Sequence, residues 1–254
     1  MFNPEERESL RVALLDRART DRRISGGAIT GSGSLGALDR WSDVDVAFGV
    51  RDAHELEATL DDFTRYMRDD YGAVDTLDVR REPWLYRVFL LPNTLQVDLA
   101  FVPASDFGAL AATFRLVFGE AKDVPLPQPP DSRDLIGYSW LYAIHARSAI
   151  MRDHLWQALY MVEAMRDRIM TLACLRVGLP TRDGRGYDEL PESMRRALEP
   201  AIVQRLTSSA LKGAFAAVVE VQLSEIRAVD AEKAAVLEPI LRALVATACG
   251  KDAA

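Results

Sequence analysis

The sequence predicts two folds in series: an α/β (α+β) core with a mixed sheet, then an all-α helical bundle. Three observations carry that expectation. Short alternating runs rich in branched and aromatic residues are confined to the first hundred or so positions. Four prolines, Pro125, Pro127, Pro129 and Pro130, interrupt the chain between 123 and 130 and exclude helix there. Beyond them the patterning is helical almost throughout. The boundaries expected are therefore 1–124 for the first domain and 131–254 for the second.

Taken in order, residues 4–20 read as an amphipathic helix with Leu10, Val12, Leu14 and Leu15 on its apolar side. A glycine-rich turn from Gly31 to Gly36 follows, then a strand around Asp43-Val44-Asp45-Val46. Asp52–Tyr71 predicts a second helix, with Leu56, Leu60, Phe63 and Met67 at helical spacing and Gly72 as its stop. Val74–Val79 and Trp84–Leu91 are strand candidates. Pro92-Asn93 turns the chain into a run around Asp98, so the last two strands predict a hairpin. In the second half, helices are expected from Asp131 or Ser132 to about Arg152, from about Asp153 to Val177 with Gly178 as the stop, and near 191–206, 208–227 and 230–248. Gly184-Arg185-Gly186 falls in the longest loop.

The 254 residues can bury a substantial core. A net charge of −7 argues against a nucleic-acid partner, which calls for a basic field. Cys174 and Cys249 have no metal-type spacing and read as reduced structural thiols of a cytoplasmic protein. No signal peptide or membrane-spanning run is apparent. His145 and His154 likewise lack ligand spacing and read as polar helix residues.

The chemistry concentrates between 29 and 48. In a strand, side chains alternate in direction, so Asp43 and Asp45 share one face while Val44 and Val46 enter the core. Adjacent like charges repel unless a cation neutralises them. Hard carboxylate oxygens at this spacing suit Mg²⁺, which keeps its other positions for water or phosphate. Gly31, Ser32, Gly33, Ser34 and Gly36 supply a turn whose backbone can approach a phosphate closely.

Gly31-Ser32, ten residues, then Asp43-Val44-Asp45-Val46 resembles the signature of the DNA polymerase β-like nucleotidyltransferase superfamily. The resemblance places Gly31 and Ser32 at its glycine-serine, Gly36 at its next glycine, Ser42 before the acids, and Asp43 and Asp45 at the metal pair. It also requires a third acid on a later strand, which Asp98 provides within Leu95–Phe101. Leu35 stands where many small-molecule members carry a basic residue, with Arg40 the nearby cation in its place. The resemblance implies a nucleotidyltransferase core with Mg²⁺ on Asp43, Asp45 and Asp98. Gly31, Ser32 and Ser42 would be nucleotide-binding, Ser42 chiefly by orienting its turn, and Asp98 would serve as metal ligand or as base. The reaction implied is transfer of a nucleoside monophosphate, AMP from ATP before other NTPs, to a hydroxyl of a small molecule such as an aminoglycoside or lincosamide antibiotic.

The helical half matches in architecture alone: small-molecule members often follow the core with a bundle that helps hold the acceptor. There, Trp156, Tyr160, Glu163 and Asp167 fall at i, i+4, i+7 and i+11, a face of rings and carboxylates suited to a cationic, hydroxyl-rich acceptor. Packing with ordinary surface charge pairing is the competing explanation of that face. A homodimer is compatible with such an enzyme. Two other functions stay open on sequence: nucleotidylation of a protein or RNA, as in toxin–antitoxin members, and a nucleotide-binding module without turnover.

Overall fold

The computed structural model describes residues 1–250. These divide into two compact units, Met1–Pro127 and Gln128 onward, the break falling inside the proline-rich stretch. The first is a mixed α/β unit and the second is all helical, the fold class expected.

The first unit is built on a six-stranded sheet. Its strands are β1 (Ile24–Thr30), β2 (Val44–Val50), β3 (Asp75–Arg81), β4 (Trp84–Leu90), β5 (Gln96–Pro103) and β6 (Phe114–Gly119), in the spatial order β3-β4-β5-β2-β1-β6. β2 and β5 run parallel and every other pair is antiparallel. Three helices accompany the sheet: α1 (Pro4–Thr20), the single turn α2 (Gly31–Ser34) and α3 (Leu56–Tyr71).

Each helix begins and ends for a chemical reason. Asn3 accepts from the Glu6 amide while Glu6 returns the bond to the Asn3 amide, a reciprocal cap with Pro4 at the first helical position. α3 stops at Gly72, whose φ of 65° is the left-handed conformation glycine adopts freely. Val12 lies on the solvent side of α1, contrary to expectation, and Arg7 takes a buried position with Leu10, Leu14 and Leu15. Positions 7, 10, 14 and 18 follow the helical period and 12 does not.

Strand alternation sorts the side chains. Val44, Val46, Phe48 and Val50 of β2, with Val97, Leu99 and Phe101 of β5, join the core made with α1 and α3. Phe48, Phe63 and Phe101 meet pairwise with ring centroids 5.4 Å apart, tying α3 to the parallel strand pair. The opposite parity, Ala47, Ala100 and Val102, belongs to a smaller cluster with Trp84 and Phe107 on the other face. Asp45 and Asp98 have that second parity.

The second unit comprises α4 (Ser132–Met151), α5 (Leu155–Val177), α6 (Glu192–Leu198), α7 (Ser208–Val229) and α8 (Ala231–Ala248). Asp131 caps α4, and Gly178, with φ of 75°, ends α5. Ala143, Ala146, Val162, Met165, Phe215 and Val218 are fully buried in its core. The helix expected over 191–206 is shorter, giving way to a single 3₁₀ turn at Glu199–Ala201 where Pro200 sits. No helix among the described residues is long and apolar enough to cross a membrane.

Candidate active site

The parallel pairing of β2 with β5 sets Asp45 directly beside Asp98 in the ladder. Asp43 shares their face one residue before β2 begins. One carboxylate oxygen from each of Asp43, Asp45 and Asp98 lies within 4.8 Å of the others, and all three side chains are partly exposed. Sequence spacing joins only the first two; the third arrives through sheet topology.

Gln96, absent from the sequence expectations, stands two residues before Asp98 and so on the same face. Its Nε2 donates to Asp98 Oδ1 at 3.0 Å and reaches Asp43 Oδ2 at 3.5 Å. Burial raises the Asp98 carboxyl above its ordinary value; the Gln96 bond opposes that rise and the charge of Asp43 adds to it. Gathered without a cation, the acids are in electrostatic conflict.

Gly31 makes the cluster sterically feasible. Its φ is +59°, and a Cβ there would run into Asp45 Oδ2 and lie 2.9 Å from Asp45 Cγ. A side chain would therefore occupy the space of the carboxylate. The turn closes through Ser34 Oγ donating to the Gly31 carbonyl at 2.8 Å and the Ala37 amide donating to Ser32 O at 3.2 Å. Ser32 sits half-buried in α2. Leu35 is exposed, and Arg40 lies over the exposed Trp41 ring at 4.4 Å. A second cation, Arg11, approaches the turn from α1: a Cβ at Gly33 would be 2.9 Å from its Nη1.

The loop before Asp43 is locally tied. The Asp39 carboxylate accepts from the Trp41 amide at 2.8 Å and from the Ser42 hydroxyl at 3.0 Å, while Ser42 Oγ accepts from the Asp39 amide at 3.0 Å. The Trp41 amide and then the Ser42 hydroxyl hold the Asp39 carboxyl below its ordinary range. Ser42 thus serves the turn itself, as its place before the acids suggests.

The remaining candidates lie on α5 in the helical unit. Trp156 and Tyr160 are 75% and 65% exposed, and Glu163 and Asp167 are exposed as well. Rings this open do not pack a core, so the stripe is surface. Arg166 Nη2 is 3.9 Å from Asp167 Oδ1, and the Asp167 carbonyl accepts from the Tyr187 hydroxyl at 3.0 Å.

Two carboxylates on neighbouring strands and a third just before one of them, beside a glycine turn, form a hard-oxygen donor set of the kind that takes a divalent cation. No family model and no curated protein matches the chain. Among solved structures it is similar to an aminoglycoside 6-adenyltransferase from Bacillus subtilis, with 12% identity and a TM-score of 0.44 over 94% of this chain and 98% of that one.

Proposed function

We propose that the chain is a Mg²⁺-dependent nucleotidyltransferase with its catalytic unit in residues 1–124 and an acceptor-binding unit in 131–254. The observation that carries this reading is the convergence of Asp43, Asp45 and Asp98 within 4.8 Å, next to a glycine that leaves room for one of them. The donor set is all carboxylate, which fits Mg²⁺ rather than a softer ion. Bound there, Mg²⁺ would neutralise triphosphate charge and acidify an acceptor hydroxyl.

The chain's own groups then divide the work. Asp43, one residue before β2, and Asp45 within it would hold the ion from the same face. Asp98 would complete the set or accept the hydroxyl proton. Gly31 and Ser32 offer a closely approachable backbone and a hydroxyl to the phosphates, and Ser42 keeps the Asp43 turn closed. The nucleotide is ATP and the product an AMP ester of a small-molecule hydroxyl, with pyrophosphate released. Trp156 and Tyr160 offer stacking faces, and Glu163 and Asp167 offer charge, to a cationic acceptor of the aminoglycoside or lincosamide kind.

The test is Mg²⁺-dependent pyrophosphate release from ATP across a panel of aminoglycosides, lincosamides and other polyols, with mass detection of the product. An acceptor heavier by one adenylyl group, AMP less a water, is expected, and Asp45→Asn, still folded, should lower its formation by about 100-fold or more. Turnover that survives this substitution would remove the metal mechanism. Silence across the panel with ATP bound would direct the search to protein or RNA acceptors.

A further inference from the structure

We propose that Arg7 is a positioning residue for Asp43, and that residues 2–7 clamp the two segments that carry the carboxylates into the sheet. The role presupposes the metal reading above and extends it to a helix outside the carboxylate cluster.

Arg7 is only 5% exposed. Its Nη1 donates to two backbone carbonyls, Asp39 O and, at 3.2 Å, Ser42 O. Those carbonyls open and close the four-residue turn that ends immediately before Asp43. The same turn is tied from inside by Asp39 and Ser42. The guanidinium therefore fixes where the chain enters β2, and with it where the Asp43 carboxylate stands.

The placement carries a cost that packing alone does not explain. Arg7 lies in the first turn of α1, where a cation opposes the helix dipole. It is buried, and its Nε has no partner among the described residues. An aliphatic residue would suit the face shared with Leu10 and Leu14 better. What an aliphatic residue lacks is a charged donor that reaches two carbonyls at once, as Nη1 does here.

The other carboxylate segment is held from the same end of α1. The Phe2 amide donates to Asn93 O at 2.9 Å, and Asn93 Nδ2 contacts Glu6 Oε2 at 3.5 Å. Asn93 Oδ1 in turn accepts from the Leu95 amide at 3.1 Å, just before β5 and Asp98. One helix start thus touches the approach to Asp43 and the approach to Asp98.

Mn²⁺ titration of the full chain by electron paramagnetic resonance, with thermal unfolding of each variant, tests the role. Arg7→Met should weaken Mn²⁺ binding about 10-fold, the loss typical of removing a group that orients a metal ligand. Asp39→Ala, at an exposed residue, should do the same by opening the turn from its other side. Arg7→Lys should fall between Arg7→Met and the unaltered chain. Leu14→Ala, which loosens α1 without touching the turn, should leave affinity unchanged. Unchanged affinity in a folded Arg7→Met protein would overturn the role, as would an equal loss in Leu14→Ala. Should Arg7→Met not fold, unchanged affinity in Asp39→Ala would overturn it. If the unaltered chain binds no Mn²⁺, the metal reading fails, and amide exchange over residues 39–44 in Arg7→Lys then decides the clamp. Faster exchange there would support it, and unchanged exchange would sink it.

Discussion

Two single residues expose how tightly the carboxylate cluster is built. Gly31 combines a left-handed backbone with a missing side chain that Asp45 needs. Gly31→Ala meets both constraints at once: strain of about 1–2 kcal/mol from the conformation, and displacement of the carboxylate. A lower unfolding midpoint together with loss of Mn²⁺ binding is expected; binding at full strength would show that the Asp45 carboxylate has another place to go. Asp98 gives the opposite sign. Its carboxyl titrates above the ordinary 3.8 in the folded chain, chiefly through burial. As pH rises through that raised value, the folded state surrenders a proton that the unfolded chain has already released, so stability falls. Metal-free Asp98→Asn should therefore melt higher than the unaltered chain at pH 7, with the gap closing as pH drops toward 3.8. Mg²⁺ should raise the melting point of the unaltered chain and leave that of the variant in place. At this scale Asp43 and Asp45 were legible as a same-face pair from their strand spacing, and Asp98 only through the resemblance, which asks for a third acid on a later strand. Gln96 and Arg7 were not. Only the face parity of position 96 hinted at the first, and a buried arginine in an otherwise ordinary amphipathic helix left no local signal.

Among the elements, those whose own sequence decides their form were readable: α1 by its apolar spacing, Val12 aside, α3 by its spacing and Gly72, and the β4–β5 hairpin by Pro92-Asn93. β1 and β6 were missed, and β1 shows why. Its interior holds Gly26 and Gly27, which local propensity counts against a strand. The compensation is tertiary. Gly26 pairs with Gly49 of β2, and a Cβ at either would lie 2.8 Å from the Phe107 ring. The two glycines form a slot that a fully buried phenylalanine from a distant loop fills. Gly49→Ala should accordingly destabilise the chain by about 1–3 kcal/mol through overpacking. Adding Phe107→Leu should recover part of that loss, since neighbours sharing one space are not additive. Denaturant midpoints of the two single variants and the double decide it, and strict additivity would mean the slot is not shared.

For the whole molecule, the proline-rich stretch was the most informative feature in the sequence, because four prolines in six residues bar regular pairing whatever surrounds them. The structure divides within it, and among the described residues Leu14, Phe48, Phe63 and Phe101 belong to the core of the first unit, and Val162, Met165 and Phe215 to that of the second. A unit of this size with its own sheet, two long helices and a fully buried aromatic trio has the means to fold by itself. The entire carboxylate cluster, its glycine turn and the Arg7 clamp belong to that unit. Residues 1–127 expressed alone should therefore unfold cooperatively and bind Mn²⁺ within a few fold of the full chain, with Asp45→Asn abolishing the binding. Transfer to an acceptor should be lost at the same time, because the exposed rings and acids of α5 are absent. A fragment that folds, binds the ion and still modifies the acceptor would take the helical unit out of substrate recognition and place every determinant of the reaction on the sheet.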